Sequence, residues 1–241
     1  MKKKILIIII TAVLITAAAV LFFLRERLFS NVDIPSQITI TVAWNPGSVA
    51  DDIARVVSGD MDTQVILQNI TGANGANGLN AVFNAPHDGT NLLSTSLSAF
   101  LSAEPMGFAD SKPDDWTWWL VAFSPAVIVV AADSPYESIN ELGNLVQADT
   151  SSGSSPAVNA VLRGEADFAE LLRVEVIHLL NSGELRVLET LDFGEHYGLF
   201  VPAGVPADRL SGLENLIESA VASEAFAVFL NDNGLLATEF R

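Results

Sequence analysis

Two stretches of this chain carry residue types suited to holding a small anion with main-chain groups. They are Asn45-Pro46-Gly47-Ser48-Val49-Ala50-Asp51 and Asn69-Ile70-Thr71-Gly72-Ala73-Asn74-Gly75-Ala76-Asn77-Gly78. Each follows an apolar run, residues 38–42 and 65–67, and each opens onto a helical pattern. Glycine permits positive φ and close backbone approach, and asparagine tolerates the left-handed region. The first N–H groups of a helix have no internal acceptor, and the helix dipole favours negative charge there. The two loops together therefore predict an anion cradle at neighbouring strand ends. The bland alternative for the second is a Gly/Asn-rich turn without a ligand. Its glycines at 72, 75 and 78 form neither a phosphate loop nor a dinucleotide fingerprint.

Asp51 has two readings, a charge placed at a helix N-terminus and an acceptor for a ligand amine, hydroxyl or bridging water. Arg55 lies four residues on, so an i,i+4 ion pair with Asp51 is expected rather than an anion clamp. Asp52 is expected to be solvated. No catalytic set emerges. His87, His178 and His196 have no metal-ligand spacing, no Gly-x-Ser-x-Gly elbow occurs, and the chain contains no cysteine. No enzyme, metal or cofactor is therefore expected, and an enzyme on a nucleotide-binding fold is disfavoured.

The elements that must position these loops follow from periodicity. Residues 38–42 alternate as a strand, and a helix begins near Ser48 with a Ser48…Asp51 capping box and the apolar face Ala50, Ile53, Ala54, Val57 and Met61. A helix over 77–84 turns Leu79, Val82 and Phe83 inward, and a strand resumes at 92–95. Residues 116–121 and 126–130 read as two strands. A turn at Asp133-Ser134-Pro135-Tyr136 leads to a helix with a Ser138…Glu141 box and the face Ile139, Leu142, Leu145 and Val146. Helices are predicted over 157–163 and 171–181, the second closed by Gly183, and strands over 185–188 and 197–201. Pro206 starts a long helix burying Leu210, Leu213, Ile217 and Val221, and a short helix covers 224–230. This alternation predicts an open, mostly parallel α/β sheet with ligands beyond the carboxyl ends of its strands.

The N-terminal segment bears on compartment. Lys2, Lys3 and Lys4 precede residues 5–24, 20 residues without a charge, followed by Arg25-Glu26-Arg27. Such a run spans roughly 30 Å as a helix, the thickness of a bilayer core. The small cluster Ala17-Ala18-Ala19 lies inside it, so an uncleaved signal anchor in the lipid bilayer is expected, with secretion after cleavage as the alternative. Residues 30–37 read as a polar stem. The six charges before residue 30 leave 7 basic and 28 acidic residues, a net of −21, on the remainder. That excludes nucleic acid as a partner.

The ordered motifs resemble a known family. Pro46-Gly47-x-x-x-Asp51-x-x-Ala54-Arg55, Asn69-x-x-Gly72-Ala73-x-Gly75-x-x-Gly78 and Asp88-Gly89-x-x-Leu92 are similar to the substrate-binding receptors of tripartite tricarboxylate transporters, the Bug or TctC type. So are Asp133-Ser134-Pro135-Tyr136, Gly153-Ser154-Ser155-Pro156-Ala157, Ser182-Gly183-x-Leu185-Arg186 and Phe200-Val201-Pro202-Ala203-Gly204-x-Pro206. The resemblance implies a two-lobed periplasmic-binding-protein-like (Venus flytrap) α/β fold closing on a small di- or tricarboxylate. It implies ligand contacts at Asn45, Pro46, Gly47, Ser48, Asp51, Gly72, Ala73, Asn74, Gly75, Ala76 and Ser96 on one lobe, and at Gly153 and Ser154 on the other. Asp149-Thr150 runs almost directly into Ser151, where family members have a strand and a long helix, so the second lobe is shortened. The expected organisation is an anchor over 1–29, a stem over 30–37, a first lobe over 38–125 with part of 190–241, and a second over 126–189. The expected function is an extracytoplasmic, monomeric receptor delivering its ligand to transporter membrane subunits. The alternative is a repurposed receptor-like domain acting as a sensor or structural partner without tight ligand binding.

Overall fold

The computed structural model describes residues 33–109 and 111–239. The predicted anchor run at 5–24 lies outside the described residues; among the described residues no helix is long and apolar enough to cross a membrane. In chain order come β1 (Gln37–Val42), α1 (Val49–Gly59), β2 (Gln64–Asn69), α2 (Ala76–Phe83), β3 (Asn91–Ser96), α3 (Leu97–Ala103) and β4 (Trp116–Ala131). There follow α4 (Ser154–Leu162), β5 (Ala169–Leu172), α5 (Arg173–Ser182), β6 (Leu185–Pro202), α6 (Ala207–Val221), α7 (Glu224–Asp232) and β7 (Leu236–Ala237).

One sheet runs β2-β1-β3-β6-β4-β5, with β7 beside β4. The expected mostly parallel sheet is corrected. Only β2-β1 and β1-β3 pair in parallel, while β3-β6, β6-β4, β4-β5 and β4-β7 are antiparallel. The cause is two long strands that read from sequence as four short ones. Pro125 looks like a break in β4, and the charged stretch 189–196 looks like a loop in β6. Pro125 is accommodated because the β4–β6 ladder is irregular there, with a register shift between Pro125 and Val127. Its partner across the ladder is Gly194, where a Cβ would lie 2.0 Å from the Ser124 carbonyl oxygen, so the strands can approach only over glycine.

Alternation along the strands fills both faces of the first part of the sheet. Ile38, Ile40, Leu92 and Leu199 face α1, α6 and α7, where Ile53, Val57, Leu213, Ile217 and Phe226 complete one core. Leu93 and Phe200 face α2 and α3, packing on Leu79, Val82, Phe100 and Trp116. A separate, smaller core forms where β4 and β6 continue beyond these layers. There Val127, Val129 and Leu185 meet Ala157 and Val161 of α4, Leu171 of β5 and Val176 of α5.

Two other expectations are corrected. The helix predicted from Ser138 is a 3-10 segment, Ile139–Asn144, and Val146 is 58% exposed. Its N–H donates to Asp167 (2.8 Å) and Gln147 bridges Phe168, so the chain leaves the turn extended. The helix predicted over 171–181 begins at Arg173, because Ala169–Leu172 pairs with β4. Its period-two burial, with Ala169 and Leu171 inside and Glu170 outside, is the strand signal. Of the residues read as a stem, Pro35 is buried and accepts from Thr63 Oγ1, and Asp33 pairs with Arg209. Helix α3 had no capping signal in the sequence; Ser96, its N-cap residue, makes no side-chain cap bond.

Candidate functional site

The first loop is organised by Asp51. Ser48 caps α1, its hydroxyl accepting from the Asp51 N–H at 3.3 Å. The Asp51 side chain is 1% exposed, and its carboxylate reaches back to the Gly47 N–H (2.9 Å) rather than to the cap residue. It also accepts from Arg55 (Nε 2.8 Å, Nη2 3.3 Å) and from Asn69 Nδ2 (2.9 Å). Burial pushes this carboxyl up, but the hydrogen bonds from Arg55, Gly47 and Asn69, with the charge of Arg55, bring it below its ordinary value. The ion pair with Arg55 is as expected. Four donors from the chain occupy the Asp51 carboxylate, which fixes the loop from behind. Asp52 is half-buried rather than fully solvated; burial, then the charge of Asp51, pushes its carboxyl up.

The second loop is built on backbone conformation. Gly72 (φ 111°), Ala73 (49°), Asn74 (52°) and Gly75 (89°) all have positive φ, a region that L-residues with a Cβ occupy at a cost. The Gly75 N–H is spent inside the loop on the Gly72 carbonyl (3.1 Å). Gly72, Ala73 and Asn74 are exposed, and Asn74 reaches Ser102 of α3 at 3.5 Å. Trp44 stands between the two loops. Its Nε1 donates to Thr95 Oγ1 (3.0 Å), its carbonyl accepts from Asn69 Nδ2 (2.9 Å), and a Cβ on Gly75 would lie 3.7 Å from its ring. Trp44 thus contacts both loops, through its carbonyl at Asn69 and its ring beside Gly75.

A cavity of about 290 Å³ opens on the other side of Trp44. Trp44, Ser48, Val49 and Ala50 form one wall, and Ser96 lines the cavity beside its register partner Tyr197. Leu172, Glu175, Glu195 and Tyr197 form the other. A second cavity of about 360 Å³ shares Leu172, Glu175 and Glu195 and adds Thr150, Gly153, Ser154 and Glu170. The two form one cleft between the larger core and the smaller one. Antiparallel register sets Ser96 opposite Tyr197, so both side chains project from the same face, and Glu195 follows at the i−2 position.

Of the predicted residues, Ser48 and Ser96 line the first cavity and Gly153 and Ser154 the second. Asn45, Pro46 and Gly47 are exposed outside the lining, and Asp51 is buried behind it. Gly72, Ala73, Asn74, Gly75 and Ala76 line neither. Sequence reasoning missed Trp44, Glu175, Glu195 and Tyr197. Ser96 and Tyr197 meet only through strand register, which no local pattern encodes. The signal for Trp44 was its place at the carboxyl end of the first strand. Among the described residues no three His, Asp or Glu side chains form a group suited to a metal. His87 is a surface residue bonded to the Ala203 and Phe83 carbonyls (2.9 and 2.8 Å).

No family model matches the chain. A curated relative, the UPF0065 protein of the tcbD-tcbE intergenic region of Pseudomonas sp. strain P51, is 33% identical over 151 residues. The match covers 57% of this chain and 45% of that protein, so the chain matches less than half of the relative's length. A TctC solute-binding protein from Polaromonas superposes with a TM-score of 0.70 at 17% identity, covering 87% of this chain and 91% of that one. MatC from Rhodopseudomonas palustris, solved with malate, gives 0.64 at 20% identity over 84% and 90% of the two chains. An R. palustris protein solved with adipate gives 0.64 at 17% identity over 86% and 90%. The chain thus has the mixed α/β, periplasmic-binding-protein-like fold of these solved structures.

Proposed function

We propose that the protein is an extracytoplasmic solute-binding protein that captures a small organic carboxylate and passes it to the membrane subunits of a tripartite tricarboxylate-type transporter. The observation that carries this reading is the cleft walled from both cores, with the N-terminus of α1 on one side. Val49 and Ala50 occupy the first two helical positions, where N–H groups have no acceptor within the helix, and Ser48 places a hydroxyl beside them. A ligand carboxylate seated there meets dipoles rather than a cation, which suits reversible capture. Solved relatives of this fold hold malate and adipate, which supports a small organic acid as ligand.

In this reading residues 38–125 with part of 190–241 form one lobe and residues 126–189 a shortened second. The ladder irregularity at Pro125 and Gly194 is where one moves against the other. The charge-free run at 5–24 directs the chain across the membrane, as a retained anchor or as a signal removed on export. The protein acts as a monomer. Thermal shift and calorimetry of the full chain against mono-, di- and tricarboxylates, each with and without an amino group, test the function. Saturable one-to-one binding of a member of the panel is expected. A folded chain indifferent to all of them would sink the proposal.

A further inference from the structure

We propose that the ligand carries an ammonium group as well as its carboxylate, and that Glu175, Glu195 and the hydroxyls of Ser96 and Tyr197 receive it. This rests on the solute-binding reading and names the class of solute. The two walls of the cavity differ in sign. At the α1 end stand unpaired N–H groups; at the opposite wall stand Glu175 and Glu195, with Glu170 in the adjoining cavity. Among the described residues no lysine or arginine lines either cavity. Arg173, adjacent in sequence, is turned to Gly234, where a Cβ would lie 3.2 Å from its Nε. A second anionic group on the ligand would thus meet Glu175 and Glu195 with no cation of the lining to offset their charge.

Two buried hydroxyls point to an occupant independently of these charges. Ser96 is 7% exposed and Tyr197 8%, yet neither hydroxyl has a hydrogen-bond partner among the described residues. Both line the cavity, and neither oxygen is sealed from solvent, so each is aimed into the open space. Burial, then Glu195 and Glu175, pushes the Tyr197 phenol well above its ordinary value, so it is protonated at neutral pH. Its oxygen still offers lone pairs to an N–H donor. Glu195 is held in place by the Ser98 N–H (3.2 Å), the Ser98 hydroxyl and its neighbour's N–H at His196 (2.9 Å). Glu175 is held by the Leu172 N–H at 3.0 Å. Both carboxylates are fixed through part of their acceptor capacity, which leaves lone pairs for the cleft. The two ends define a zwitterion with a carboxylate on α1 and an ammonium on β6 and α5.

The test is calorimetric titration of the full chain with pairs that differ only in the amine, 4-aminobutyrate against butyrate and glutamate against glutarate. In at least one pair the amino acid should bind about tenfold tighter or more. Tyr197→Phe removes one hydroxyl, and Glu175→Gln removes charge while its amide oxygen can still accept from Leu172. Each should reduce the preference severalfold while leaving the melting temperature of the ligand-free protein within a few degrees of the parent's. Equal or tighter binding of the deaminated acids would overturn the inference and leave the proposed function standing. A preference unchanged in both variants would also overturn it. Binding of neither member of any pair, nor of any other acid, would defeat the proposed function and this inference together.

Discussion

The two glycine-bearing loops look alike in sequence and are built on opposite physics. The loop at 45–51 is fixed by one buried carboxylate that collects donors from Gly47, Arg55 and Asn69. The loop at 69–78 is held by four successive positive-φ residues and lies exposed behind Trp44. Electrostatic organisation frees the first two N–H groups of α1 for the cleft; the second loop spends an N–H on itself. A glycine pattern therefore reports backbone freedom, not which side of an aromatic wall the loop faces.

Breaking the first loop should cost most. Asp51→Ala leaves the Arg55, Gly47 and Asn69 donors without their acceptor and should lower stability by about 2–3 kcal/mol. Denaturant unfolding would measure it, and the same variant should weaken solute binding by disordering α1's first turn. Gly75→Ala sets a Cβ at φ 89° and 3.4 Å from Ala43 Cβ, with an expected cost of about 1–2 kcal/mol. Ala73→Gly relieves a positive φ at an exposed position and should stabilise by up to ~1 kcal/mol, less the entropy glycine adds to the unfolded chain. Its binding affinity should stay at the parent value, because that loop lines neither cavity.

The smallest effect is a pH dependence. The Asp51 carboxyl is depressed in the folded state relative to its ordinary 3.8, so its contribution is present above that value and is lost as pH falls through the folded value. The stability gap between parent and Asp51→Ala should be constant from neutral pH to about 4 and narrow below it. Urea midpoints taken across that range check the sign; a gap that widened on acidification would contradict the role given to Asp51.

Local signals were legible because they are local. The Ser48 cap, the buried stripe of α1, the Gly183 stop and the Leu213–Ile217 face of α6 each depend on residues within a turn or two. The long strands were not legible, because Pro125 and the charged 189–196 stretch carry the marks of loops and are kept in the ladder by each other. The acidic wall was hidden for a related reason. Glu175 sits at a helix start and Glu195 in an apparent loop, and only the sheet brings them to Tyr197 and Ser96. Family resemblance pointed to the fold, but not to the acidic residues that line the cleft.

Calorimetric titration of the full-length protein with small organic acids tests the central claim, that this cleft captures a solute. The account predicts saturable heat at one equivalent for at least one acid, reduced by Glu175→Gln. Absence of saturable heat with every acid, from a chain that still unfolds cooperatively, would contradict it.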